Sequence, residues 1–259
     1  MAKFQDAEWM AAQIRLTLFP TPESSARLTA WWQRMTGAEP NQDTTDRKRG
    51  ISTVSGTFGT ETLTLVLAPD RVDWFLTASS EFPDLPFAVE DIGPMRDTLD
   101  EFSALAESWL GADDLPNAAR IAFGLVLHHR EADTADAYKR LPDYVPIGVE
   151  LGWKDFFFQV NIPSPLAREE YGIEYLNRLS KWSVTALRTG MVTVGGQGII
   201  SAATPPPRYS LRLELDISTP ADSLEPLSRP KLVPIYRELV SAGQAIARNG
   251  VVNEQYRLK

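Results

Sequence analysis

Hydrophobic and polar positions alternate from Gln13 to Phe19, where Ile14, Leu16 and Leu18 sit between Gln13, Arg15 and Thr17. A period of two predicts a half-buried strand, and Pro20 and Pro22 end it. Ser24 or Ser25 offers an N-cap for a helix that runs to Met35, carries Trp31 and Trp32, and closes at Gly37. Residues 39–50 are polar and read as a loop holding the basic cluster Arg47, Lys48 and Arg49. Residues 52–60, rich in threonine and serine, add a strand that Gly56 and Gly59 weaken. Leu63, Leu65 and Leu67 alternate next, Ala68-Pro69-Asp70-Arg71 turns the chain, and Val72, Trp74 and Leu76 resume the pattern, which is a hairpin.

Beyond a loop marked by Pro83 and Pro86, the spacing changes. Met95, Leu99, Phe102, Leu105 and Trp109 recur every three or four residues, one apolar stripe on a helix that starts near Pro94 and stops at Gly111. Residues 120–129 are apolar at both parities, which predicts a central strand covered on both sides. A polar connection over 130–146 precedes a second expected hairpin, with Ile147, Val149 and Leu151 going out and Phe156, Phe158, Val160 and Ile162 returning. Ile173, Leu176, Leu179, Trp182 and Ala186 then predict a long amphipathic helix over 167–189. Met191 to Val194 and Ile199-Ile200 read as a strand pair, and Pro205-Pro206-Pro207 as a stiff spacer. Tyr209, Leu211, Leu213, Leu215 and Ile217 alternate without a break, and a last helix runs from Pro230 to the natural cap Asn249-Gly250.

Tight two-strand turns recur and no regular βαβα order appears. The expected class is α+β, with antiparallel sheets and amphipathic helices on one face, in an order open to two similar halves. The polar junction from Gly111 to Asn117 sets the expected boundary: an N-terminal half over 1–112 and a C-terminal half over 113–259, or both packed as one domain.

Composition narrows the chemistry. The chain lacks cysteine, so disulfides and thiolate chemistry are excluded. Its two histidines, His128 and His129, are adjacent and point to opposite faces of a strand, a poor arrangement for chelating one metal. No metal site and no cofactor are expected. The net charge of -8 disfavours nucleic acid, which needs a basic face, and suits a basic protein partner. No stretch is apolar enough to span a membrane, and the first residues lack the apolar core of a signal peptide, so a cytoplasmic location is expected.

Three segments carry a resemblance: Ile14-Arg15-Leu16, Ala119-Arg120-Ile121-Ala122-Phe123-Gly124, and Leu211-Arg212-Leu213-Glu214-Leu215-Asp216-Ile217 before a terminal amphipathic helix. In outline these resemble a sporadically distributed family of uncharacterised bacterial proteins of about this length. The resemblance implies a role in bacterial conflict, as an immunity or defence component, and assigns no site residue.

The residues themselves nominate two kinds of site. Arg212, Glu214 and Asp216 share one face of a strand, and with His129 the two carboxylates form the candidate set for a metal-dependent or acid-base hydrolase. His129 or its neighbour can meet a carboxylate from Glu131 or Asp133. Trp31, Trp32 and Trp153 sit near element ends and, with Arg212, are candidate contacts for a protein partner. Val194-Gly-Gly-Gln-Gly-Ile199 lacks the spacing of a nucleotide loop and reads as a turn. The leading expectation is a non-enzymatic protein-interaction module with an acidic and aromatic surface. A carboxylate-based hydrolase and a small-ligand binder are the alternatives.

Overall fold

The structure is a computed structural model that describes residues 9–21, 28–79, 91–150, 152–166, 169–187, 191–195, 198–203, 207–222 and 225–251, the side chains of 191–203 excepted. The expected cap at Ser24 or Ser25, the Pro83 and Pro86 loop, the tip of the 194–199 turn and most of the triple-proline spacer lie outside these residues.

The chain forms β1 (Met10–Pro20), α1 (Leu28–Thr36), β2 (Gln42–Asp46), β3 (Ile51–Phe58), β4 (Glu61–Ala68), β5 (Arg71–Ala78), β6 (Gly93–Pro94) and α2 (Met95–Leu110). It continues with β7 (Ala118–Glu131), α3 (Thr134–Arg140), β8 (Phe157–Asn161), β9 (Ser164–Pro165) and β10 (Tyr175–Leu187). The pair β11 (Met191–Gly195) and β12 (Gly198–Ala203), then β13 (Arg208–Ser218) and α4 (Arg229–Asn249), complete it. One sheet runs in the order β2-β3-β4-β5-β1-β7-β13-β10-β8 with all of its pairings antiparallel, and β11 and β12 pair separately. The class is therefore α+β, with β1 of the first segment pairing along its length with β7 of the second.

Period-two residues decide the faces. Trp74 lies opposite Leu16, Leu16 opposite Phe123, Phe123 opposite Ile217, and Leu213 opposite Trp182. These side chains are all buried. Trp74 stacks on Trp32 of α1 with centroids 6.1 Å apart and meets Trp109 of α2 edge-on at 5.9 Å. Phe123 meets Tyr236 of α4 at 6.1 Å. Aromatic area dominates this layer, and edge-to-face and offset pairs add to the burial itself. The opposite face, which carries Arg15, Gly124 and Asp216, is called the open face below.

Several expectations are corrected. Residues 42–46 are not loop: Asp46 Oδ1 accepts from the backbone N–H of Lys48 and Arg49, which folds Arg47 to Gly50 into a turn and pairs β2 with β3. The connection after β7 contains α3, capped when Asp133 accepts from the Asp136 N–H. Residues 147–150 form no strand, and β8 pairs with β10 instead. The largest correction is the expected helix over 167–189. Residues 175–187 are β10, bonded to β13 over eleven consecutive register positions. Its buried positions are Leu176, Ser180 and Trp182; the interior Ser180 breaks the apolar alternation and leaves a spacing that imitates a helix.

Candidate functional site

Arg212, Glu214 and Asp216 do share the open face, as β13 requires. Each is ion-paired. Arg212 Nη2 lies 2.8 Å from Glu214 Oε1, and Lys181 Nζ of β10 is 3.7 Å from Glu214 Oε2. Asp216 accepts at 3.0 Å from Arg15 Nη2 on β1, two strands away. Gly124 of β7 lies in register between them, and a Cβ there would stand 3.0 Å from Arg15 Nε. The bare glycine therefore lets the guanidinium lie across β7. A shallow depression of about 150 Å³ surrounds this ladder, bounded by Gln13, Arg15, Lys181 and Glu214 among others. The sequence pattern could show which charges share a face. It could not show that Arg15 reaches over a glycine to join them.

His129 does not belong to that ladder. It lies opposite Leu211, on the face buried under the helices, while Glu214 and Asp216 occupy the other face. The expected grouping of His129 with the two carboxylates is not formed, because adjacent strand residues alternate faces. His129 instead packs edge-on against Trp9, with centroids 5.7 Å apart. Glu131 Oε1 comes within 2.6 Å of its Nδ1, and Arg140 of α3 bonds the same oxygen. Burial, and then the Arg140 charge, hold the His129 imidazole below its ordinary range, against the pull of Glu131. Among the described residues no group of three or more acidic or imidazole side chains could hold a metal ion.

Of the four candidate binding residues, Trp31 and Trp32 are corrected: each is 1% exposed. Trp31 meets Trp109 at 5.6 Å and Trp32 stacks on Trp74, so neither presents a surface. Arg212 belongs to the ladder just described. Trp153 is 41% exposed and stacks on Phe156 with centroids 6.5 Å apart and planes 23° apart. Phe157, which the sequence pattern placed in a strand without singling out, is 62% exposed. Trp153 and Phe157 are the two exposed large apolar side chains among the described residues.

Both stand at the end of the sheet, where β8 is the last strand. The Ile162 N–H donates to the Arg178 carbonyl at 3.2 Å just past β8. Hydrogen-bonded pairs alternate along an antiparallel ladder, so Phe158 and Val160 also bond to β10, and Phe157, Gln159 and Asn161 turn their backbone groups outward. The edge strand reads Phe-Phe-Gln-Val-Asn and carries no charge.

A second cavity, of about 300 Å³, opens where β7 and β13 end. His128, Arg130, Arg208 and Ser210 line it, with Leu187 of β10 and Asp91 closing the rim. His128 is 4% exposed. Ser210 Oγ lies 3.1 Å from its Nδ1 and 2.7 Å from Thr185 Oγ1, a short chain of hydroxyls ending on the ring.

Compared with protein-family models and with curated proteins, the chain matches none. Among the described residues no helix is long and apolar enough to cross a membrane.

Proposed function

We propose that this protein is a non-enzymatic interaction module that binds a basic protein partner at the β8 edge. The observation that carries the reading is the coincidence of the two exposed large apolar side chains, Trp153 and Phe157, with an uncharged edge strand. An aromatic anchor beside outward backbone donors and acceptors suits an extended partner segment added as a further strand. The net charge of -8 disfavours a second copy of this chain and favours a cationic partner through steering of the encounter.

We read the layout on either side of β1 and β7 as two similar halves. In each, a long strand leads to a helix, strands return in the order that places the last beside the first (four, β2 to β5, in one and three, β8, β10 and β13, in the other), and a second helix follows. Bacterial immunity or defence is the setting the family resemblance supports, with a cytoplasmic site of action.

The test is capture from native cells with the full chain as bait. A stoichiometric partner is expected that is lost with Phe157→Lys and with Trp153→Ala, retained with Asp46→Lys on the opposite edge, and weakened by salt. Equal capture by all three variants would overturn the reading. So would a dimer of this chain that Phe157→Lys dissolves.

A further inference from the structure

The cavity where β7 ends and β13 begins is walled by a buried imidazole and a cationic side chain. His128 lines it, is almost wholly buried, and its Nε2 makes no hydrogen bond. Arg130, Arg208, Ser210 and Leu187 share the open face with His128, by register and by parity along their strands.

The charges in the wall are unevenly committed. Arg130 donates through Nε to Asp91 Oδ2 at 2.9 Å and through Nη2 to the same oxygen, so those two charges largely cancel. Glu131 also touches the cavity, but its Oε1 is taken up by Arg140 and faces His129. Arg208 is exposed and shows no carboxylate partner among the described residues, so the wall keeps an uncompensated positive charge. Leu187 and Pro207 supply apolar surface beside it. The volume lies at the lower end of the range for organic ligands, about 300–1,000 Å³, and exceeds the need of a bare inorganic anion.

We infer that this cavity binds a small organic anion, with its oxyanion head on Arg208 and its apolar body against Leu187 and Pro207, beside the His128 ring. Nothing in this inference depends on a partner at β8. Burial holds the free His128 ring below its ordinary range, with Asp91 and Glu214 opposing and Arg212 and Arg130 reinforcing that effect. A bound anion adds an opposite charge and moves the ring back up.

The chain's two histidines make the experiment simple. Ring proton and carbon shifts of His128 and His129 are followed by NMR in the full chain during titration with phenyl phosphate, benzoate and inorganic phosphate, against sodium chloride at matched ionic strength. Phenyl phosphate or benzoate is expected to shift His128 saturably and to raise its titration midpoint. His129, on the other face of the sheet, stays unmoved. The better of the two aryl anions identifies the head group, and inorganic phosphate is expected to bind at least tenfold more weakly. Arg208→Ala, at an exposed position, is expected to weaken binding at least tenfold with the fold intact. Leu187→Ser, which removes apolar surface without adding charge, is expected to weaken the aryl anions and leave inorganic phosphate unchanged. The inference is overturned if neither aryl anion shifts His128 beyond chloride, if both histidines move together, or if Arg208→Ala binds as the parent does.

Discussion

The sheet has two ends, and they are built on opposite rules. At the β2 end every residue of Gln42–Asp46 is exposed, and two of the five are aspartates. Charge on an edge strand opposes pairing with another chain. β8 itself carries no charge, and its Phe157 stands in solvent. The open face differs in the opposite sense. On the β3–β5 side it carries Thr53, Ser55, Thr62, Thr64 and Thr77 with a single ion pair among the described residues, Arg71 to Asp73, whereas on the β13–β10 side it carries the Arg212, Glu214, Asp216 and Lys181 ladder. Beneath the helices the two flanks solve one problem alike, with Trp32, Trp74 and Trp109 on one side and Trp9, Tyr144 and Trp182 on the other. The comparison teaches that packing imposes the same solution twice, while the edge strand of the C-terminal flank departs from what solubility alone favours.

The sharpest challenge to that likeness is to empty each core in turn. Trp74→Ala and Trp182→Ala are each expected to lose about 3–5 kcal/mol of stability, as buried aromatics do, in urea denaturation. If one flank tolerated the loss at under about 1 kcal/mol, the two cores would not be equivalent.

A smaller effect separates the flanks by pH. Both histidines lie on β7 where it meets β13, and burial holds both below the ordinary value of 6.5. In the unfolded chain they take up protons near pH 6.5, but in the folded chain only at lower pH. Stability is therefore level above about pH 6.5 and falls as pH drops below it. Replacing both with glutamine is expected to flatten the stability profile between about pH 7 and 5.5, above the carboxylate range. An unchanged slope in the double variant would place its source on other groups.

The smallest effects on stability belong to the edges. Asp43→Ala and Phe157→Lys are each expected to change unfolding free energy by no more than about 0.5 kcal/mol, the usual size at exposed positions. They differ in association. Light scattering of the partner-free protein is expected to fall with Phe157→Lys and to rise with Asp43→Ala. The contrast between the edges is lost if the two variants scatter alike.

Alternation was legible wherever one parity was apolar and the other polar. β1, β4, β5 and β13, and the stripes of α2 and α4, were therefore readable from residues 13–19, 63–76, 95–109, 209–217 and 230–249. So was the shared face of Arg212, Glu214 and Asp216, which follows from strand geometry. Local pattern determined these because side-chain direction repeats with the backbone. It failed at β10, where an interior Ser180 and apolar residues three and four apart imitate a helix, and at β2, where no parity is apolar at all. Those segments become strands only because β13 and β3 present hydrogen-bonding edges to them, a contribution from residues far along the chain or across a turn. The same nonlocal pairing decided that Trp31 and Trp32 are core, that Arg15 crosses Gly124 to Asp216, and that His128 and Phe157 stand where a ligand or a partner could meet them.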